Sequence, residues 1–233
     1  MVQPMTAYLL AGCVALLAGI DRTAALQVMI SRPVVAAPLA GWLLGDPAGG
    51  LLAGALIELL WLGRLPVGAA IPPDDTQVAI GAAALAAVLG PQLQSSGPAF
   101  TLLCILVAMP LGKVGQLFDR EARHWNDRLL QQVQTDLSAG NPPRIDRRHL
   151  AGVRNFALAS LATYLVIVSA GTLLVREFTP LLLPAVASTG NWLQMAFPLV
   201  GSAAILGSIN VTRALTLFSA SFGTALLMLW LAR

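Results

Sequence analysis

Residues Gly54 to Asp75 read GALIELLWLGRLPVGAAIPPDD. The stretch is apolar enough for a bilayer. It nevertheless holds Glu58, Arg64, Asp74 and Asp75, and it is interrupted by Gly63, Pro66, Gly68, Pro72 and Pro73. An Asp, Lys or Arg at the centre of a membrane helix costs about 2.5–3.5 kcal/mol even on lenient insertion scales. Irregular backbone at membrane depth survives only where protein or a water-filled cavity satisfies it. Charge and broken backbone in one place therefore mark a segment with a task beyond spanning.

The rest of the chain sets the same frame. Of 233 residues, 57% are hydrophobic and 11% charged, and the mean hydropathy is +0.75. Soluble domains carry about 25% charged residues, so the composition points to the membrane. Alternating ten-residue strands are not seen, which leaves helices as the spanning element. The expected fold is all-α and integral to the membrane: a polytopic helical bundle with re-entrant or broken helical hairpins in the N-terminal half.

The basic pI of about 9.4 has a local origin. Residues 113–154 hold eight Lys and Arg against five Asp and Glu, an excess equal to the net charge of +3. That concentration reads as a positive-inside signal and places loop 113–154 in the cytoplasm. It argues against a nucleic-acid partner.

Three parts follow from the hydropathy pattern. In residues 1–98, apolar runs at 5–20, 24–30, 34–45, 49–63 and 76–90 are mostly shorter than a bilayer is thick, as hairpins and half-helices would be. They are separated by Asp21-Arg22-Thr23, Ser31-Arg32-Pro33 and Gly45-Asp46-Pro47. Residues 99–154 comprise an apolar helix at 99–112 and an amphipathic helix through Phe118, Trp125, Leu129, Leu130, Val133 and Leu137 that ends at Gly140-Asn141-Pro142-Pro143. Residues 155–233 carry spans at 155–175, 192–209 and 214–231. Pro180 and Pro184 bracket a short loop or half-helix, and a polar break lies at Ile209-Asn210-Val211-Thr212-Arg213.

Several smaller features admit structural readings. Gly41, Gly45, Gly49, Gly50 and Gly54 recur at spacings that either let helices approach closely in lipid or simply turn hairpin corners. Cys13 and Cys104 lie in apolar runs and read as buried, inert thiols. Leu10-Ala11-Gly12-Cys13 resembles a lipoprotein cleavage box, but no basic residue precedes it and the apolar run continues to Ile20, so cleavage is not expected. The five Trp residues, at 42, 61, 125, 192 and 230, suit interfacial anchoring, with Trp42 or Trp61 alternatively stacking on a ligand ring.

Catalysis has little material. His124 and His149 both fall in the basic loop, no nucleotide-cradling glycine loop is present, and Asp74 and Asp75 are chain neighbours that point apart on a helix. Recognition of a polar solute fits better. Glu58, Asp74, Gln27 and Arg32 supply acceptors and donors within an apolar chain, and a carboxylate accepts several hydroxyl hydrogen bonds. The structural alternative for Glu58 is an ion pair with Arg64 or Arg32. Asp21 and Asp46, beside turn signals, read as caps. Asp75 and Asn210 are further polar residues whose place in the site the sequence leaves open.

Ser31-Arg32-Pro33, Leu44-Gly45-Asp46, Leu56-Ile57-Glu58-Leu59, Leu62-Gly63, and Val67-Gly68-Ala69-Ala70 through Pro73-Asp74 resemble the N-terminal half of the IIC component of the mannose/sorbose-family phosphotransferase system. Ile209-Asn210 and Arg213 resemble a short motif of its C-terminal part. The resemblance implies a permease subunit of the bacterial inner membrane that binds a hexose. It implies a IID membrane partner, in trimers of IIC–IID heterodimers, and soluble IIA and IIB proteins that relay phosphate. Phosphoryl transfer would then lie on other chains, with no cofactor or metal here and no enzymatic activity of its own. The family's acidic and amide positions fall on Glu58, Asp74 and Gln27, with Arg32 bracing. Two other readings stay open: a self-sufficient carrier or channel, and a non-transporting assembly or regulatory protein of the same fold.

Overall fold

The computed structural model describes residues 3–63, 71–208 and 213–231. Within them the chain is helical. The elements are α1 (Pro4–Thr23), α2 (Pro33–Leu44), α3 (Pro47–Leu60), α4 (Asp75–Gln92), α5 (Pro98–Leu111), α6 (Val114–Ser138), α7 (Ile145–Ser208) and α8 (Ala214–Leu231). By length and composition α1 and α7 each suffice to cross a membrane, and α5 with α6, bent by 43° at their junction, forms a third candidate. Helices α2 and α3 are apolar but short. The expected broken hairpins are thus present in the N-terminal half.

Helix α4 is the centre. Fourteen of its 18 residues are buried, on every side, and it packs against α1, α2, α3, α5 and α7. An apolar helix with no polar face belongs in a core. Leu85, Leu89, Phe100, Leu103, Ile105 and Ile167 fill one side of it, while Ala11, Ala15, Ala36, Ile80 and Tyr164 fill the other.

The α2–α3 hairpin shows how the glycine series divides its work. Gly45 ends α2 with φ +84°, a conformation cheap for glycine, and Asp46 caps α3 by accepting the Gly49 amide at 2.9 Å. Gly50 and Gly54 instead serve the contact. A Cβ on Gly50 would lie 3.0 Å from Pro38 Cα, and one on Gly54 would lie 3.1 Å from Val34 Cα. Both sequence readings hold, each for different glycines.

Four expectations change. The apolar run 24–30 forms no half-helix, because Leu26, Gln27 and Met29 all have positive φ. Asp21 holds this loop instead of capping a helix: its buried carboxylate accepts the Val28 amide at 2.7 Å and the Ser31 amide at 2.9 Å. No loop forms between Pro180 and Pro184; α7 runs through both and through Pro198. Each proline removes one backbone donor, a loss that neighbouring groups in a membrane bundle make good. Cys104 is buried as expected, but Cys13 is exposed, because it lies off the stripe of Ala7, Ala11, Ala15 and Ala18 that faces the core. Both thiols are free.

Candidate functional site

The last turn of α1 and the first turn of α4 meet through charge. Arg22 Nη1 lies 2.6 Å from Asp74 Oδ1 and 2.7 Å from Asp75 Oδ1, with Thr76 Oγ1 at 3.3 Å. Asp74 is also the N-cap of α4, and the same Oδ1 accepts the Gln77 amide at 3.1 Å. The approach to α4 is fastened from a third direction. Asp74 N donates to Gly112 O, Gln116 Nε2 donates to Ile71 O at 2.6 Å, and Gly115 passes so close to Asp74 that an added Cβ would lie 2.8 Å from its side chain.

These contacts enclose a small cavity lined by Arg22, Asp74, Asp119, Arg123, Ser160 and Thr163, among others. Its volume of about 40 Å³ is of the order of one water molecule. A wider groove of about 340 Å³ between the α1 end and the α6–α7 hairpin shares Thr23 and Phe156 with it. That larger volume lies in the range of small-molecule pockets, roughly 300–1,000 Å³.

Of the residues named from sequence, Asp74 faces the small cavity. Glu58 and Arg32 pair with each other, so Arg32 is the basic partner found. Arg64 lies outside the described residues, as does Asn210. Glu58 also sits at the start of α2, 3.4 Å from the Val34 amide, where a helix N-terminus favours negative charge. Gln27 is exposed on the loop before α2. The Glu58–Arg32 pair and the cavity are therefore two separate clusters. Ser31, next to Arg32, links them: Thr76 Oγ1 donates to Ser31 O at 2.6 Å, and the Ser31 amide donates to Asp21, next to Arg22, at 2.9 Å. Asp75 belongs to the Arg22 cluster but not to the cavity wall.

Sequence reading missed Arg22, Asp119, Ser160 and Thr163. One signal was available: Ser160 and Thr163, three residues apart on a spanning helix, share a face. Trp42, Trp125, Trp192 and Trp230 are exposed, in keeping with anchoring, whereas Trp61 packs against the core. Among the described residues no group of three or more His, Cys, Asp or Glu is placed to hold a metal ion.

The family profile described as PTS system sorbose-specific IIC component matches residues 5–230. This chain belongs to that family. As a IIC component it is a permease subunit, a membrane protein with transmembrane helices.

Three relatives of this IIC chain illustrate the range. The putative N-acetylgalactosamine permease IIC component 2 of Escherichia coli (strain K12) is 44% identical over 63 residues, 27% of this chain and 47% of the relative. The PTS system mannose-specific EIIC component of the same strain is 25% identical over 200 residues, 85% of this chain and 72% of the relative. The PTS system sorbose-specific EIIC component of Lacticaseibacillus casei is 33% identical over 92 residues, 40% of this chain and 30% of the relative. The first match thus spans about half of the relative's own length.

Two solved structures share the fold of the IIC chain. One, described as the structure of a membrane protein, superposes with a TM-score of 0.70 at 21% identity, covering 97% of this chain and 87% of the other. The second is the cryo-EM structure of the mannose transporter ManYZ in complex with microcin E492. It gives a TM-score of 0.61 at 24% identity, covering 97% and 88%. At these identities the likeness is one of architecture.

Proposed function

We propose that this chain is the sugar-binding and sugar-translocating IIC subunit of a phosphoenolpyruvate-dependent phosphotransferase system, with a hexose of the mannose, fructose, sorbose or N-acetylgalactosamine type as cargo. The observation that carries the reading is the Asp74 carboxylate, held at the start of a buried helix by Arg22 and turned toward a cavity that Ser160 and Thr163 also line. The names of the relatives support the substrate class.

In the present conformation the cavity is too small for a hexose. Binding therefore requires α1 and α4 to part from α6 and α7, which suits a carrier that alternates access by moving one group of helices against another. The adjoining groove supplies a way in. Asp74 accepts sugar hydroxyls. Glu58 and Arg32, on the bordering α2–α3 hairpin, and Gln27, on the loop before it, join the site when Arg32 releases Glu58.

On this reading a IID subunit completes the permease, and trimers of the heterodimer form the assembly. The likeness to the mannose transporter ManYZ supports the partner. So does α8, where Leu215, Leu217, Leu227, Met228 and Trp230 are exposed. Loop 113–154 faces the cytoplasm of a bacterial inner membrane by the positive-inside rule. Soluble IIA and IIB proteins carry the phosphoryl group there.

The test is uptake and phosphorylation of labelled hexoses by vesicles containing this chain, a IID partner and the soluble proteins. One of the four sugars is expected to be taken up and phosphorylated, and Asp74→Ala to reduce uptake at least tenfold. Co-purification with IID is expected. A solitary monodisperse protein, or uptake unchanged in both Asp74→Ala and Glu58→Ala, would count against the reading.

A further inference from the structure

Arg22 is more than a brace. A guanidinium carries five N–H donors in a planar fork. All three contacts that Arg22 makes among the described residues use Nη1: Asp74 Oδ1, Asp75 Oδ1 and Thr76 Oγ1. Nη2 and Nε have no acceptor among those residues, and the side chain lines the cavity while only 18% exposed. Asp74 is spent in the complementary way. Its Oδ1 takes both Arg22 and the Gln77 amide, and Oδ2 receives no hydrogen bond among the described residues.

From this we infer that Arg22 is a direct ligand of the sugar, donating from Nη2 and Nε while Asp74 Oδ2 accepts. The inference rests on the reading of the chain as a hexose-binding IIC subunit, and it assigns a residue which that reading does not need. The chemistry is that of a vicinal diol. Each hydroxyl both donates and accepts, so two neighbouring hydroxyls satisfy an adjacent cation and carboxylate together. The two aspartates fix the plane of the guanidinium before sugar arrives, which spares the cost of ordering it on binding. Thr163 adds to the same wall: its hydroxyl donates to Ala159 O at 2.9 Å, and its lone pairs remain as acceptors.

The test measures binding to the purified complex. Mannose, fructose, sorbose and N-acetylgalactosamine are tried first, and the tightest binder is then compared with its monodeoxy analogues, in wild type and in Arg22→Lys. Loss of a charged bidentate donor is expected to weaken the parent sugar about ten- to hundred-fold. The deoxy analogue that lacks the hydroxyl bound by Arg22 should lose nothing further in Arg22→Lys, while the other analogues lose as much as the parent.

A uniform loss across every analogue would show that Arg22 acts only by holding α1 to α4, and would overturn the inference, as would unchanged binding of the parent. If wild type binds none of the four sugars, the functional reading itself fails and the inference falls with it. Where Arg22→Lys is not monodisperse, Arg22→Gln with Asp75→Asn, which keeps the net charge of the cluster, goes through the same series. Asp75→Asn alone touches no cavity-lining group but Arg22, and it should preserve the analogue pattern.

Discussion

Arg22 and Asp74 stand 52 positions apart in the chain, and Arg22 Nη1 lies 2.6 Å from Asp74 Oδ1. The contact closes the end of α1 onto the start of α4, across the whole α2–α3 hairpin. Since Asp75 shares the same nitrogen, one cation offsets two neighbouring carboxylates.

Removing that cation should be costly. Both Arg22 and Asp74 side chains are less than one fifth exposed. Breaking a buried pair by deleting one partner typically costs about 3–5 kcal/mol, because the remaining charge stays uncompensated. Arg22→Met is expected to lower the thermal unfolding midpoint in detergent markedly, and Arg22→Met with Asp75→Asn to recover part of the loss. Equal midpoints for the single and double variants would show that Asp75 does not share in the interaction.

Asp21 should control the loop before α2. Its carboxylate satisfies two amides, those of Val28 and Ser31, in a segment with three residues in the left-handed region. A buried donor left unpaired costs about 1–3 kcal/mol. Asp21→Ala is expected to speed hydrogen exchange across residues 24–32 by at least tenfold, with α4 unaffected. Faster exchange spread evenly over the bundle would mean that Asp21 supports the core and not the loop.

The α2–α3 contact should resist added bulk. Gly54→Ala pushes a methyl group against Pro33 and Val34, and overpacking of this kind costs about 1–3 kcal/mol. Gly207→Ala is the comparison, since nothing lies within 4 Å of its added carbon. A lower thermal midpoint is expected for the first substitution and none for the second.

Glu58 and Arg32 should not respond alike although they are partners. The Glu58 side chain is 12% exposed and faces the start of α2, whereas Arg32 is 43% exposed. A pair with one partner in solvent contributes about 0–1 kcal/mol. Glu58 keeps a favourable helix terminus when Arg32 is removed, but Arg32 gains nothing when Glu58 is removed. Glu58→Gln is therefore expected to destabilise more than Arg32→Gln in thermal unfolding. The reverse order would show that the ion pair, and not the helix terminus, holds Glu58.

Much of this architecture is written locally. Pro33 and Pro47 open helices, Gly45 and Asp46 close and cap them, and the apolar runs locate α1 to α5 to within a few residues, because caps and periodicity act over one turn of chain. Hydropathy likewise placed the protein in a membrane, and the motifs around Glu58 and Asp74 pointed to its family. Local signals failed where the outcome depended on what lay opposite. Pro180 and Pro184 sit inside a continuous α7, where a local breaker signal alone would end the helix.

Pairing was decided by the tertiary structure alone. Arg22 looked like the polar end of a helix until folding brought Asp74 and Asp75 to it, and Ser160, inside the expected span 155–175, lines the same cavity. A charge in sequence has no partner until distance gives it one. A hydrogen bond needs its partners within about 3.5 Å and Coulomb attraction weakens with distance, and the packing of α4 among its neighbours is what brings positions 22 and 74 into contact beside a cavity that Ser160 also lines.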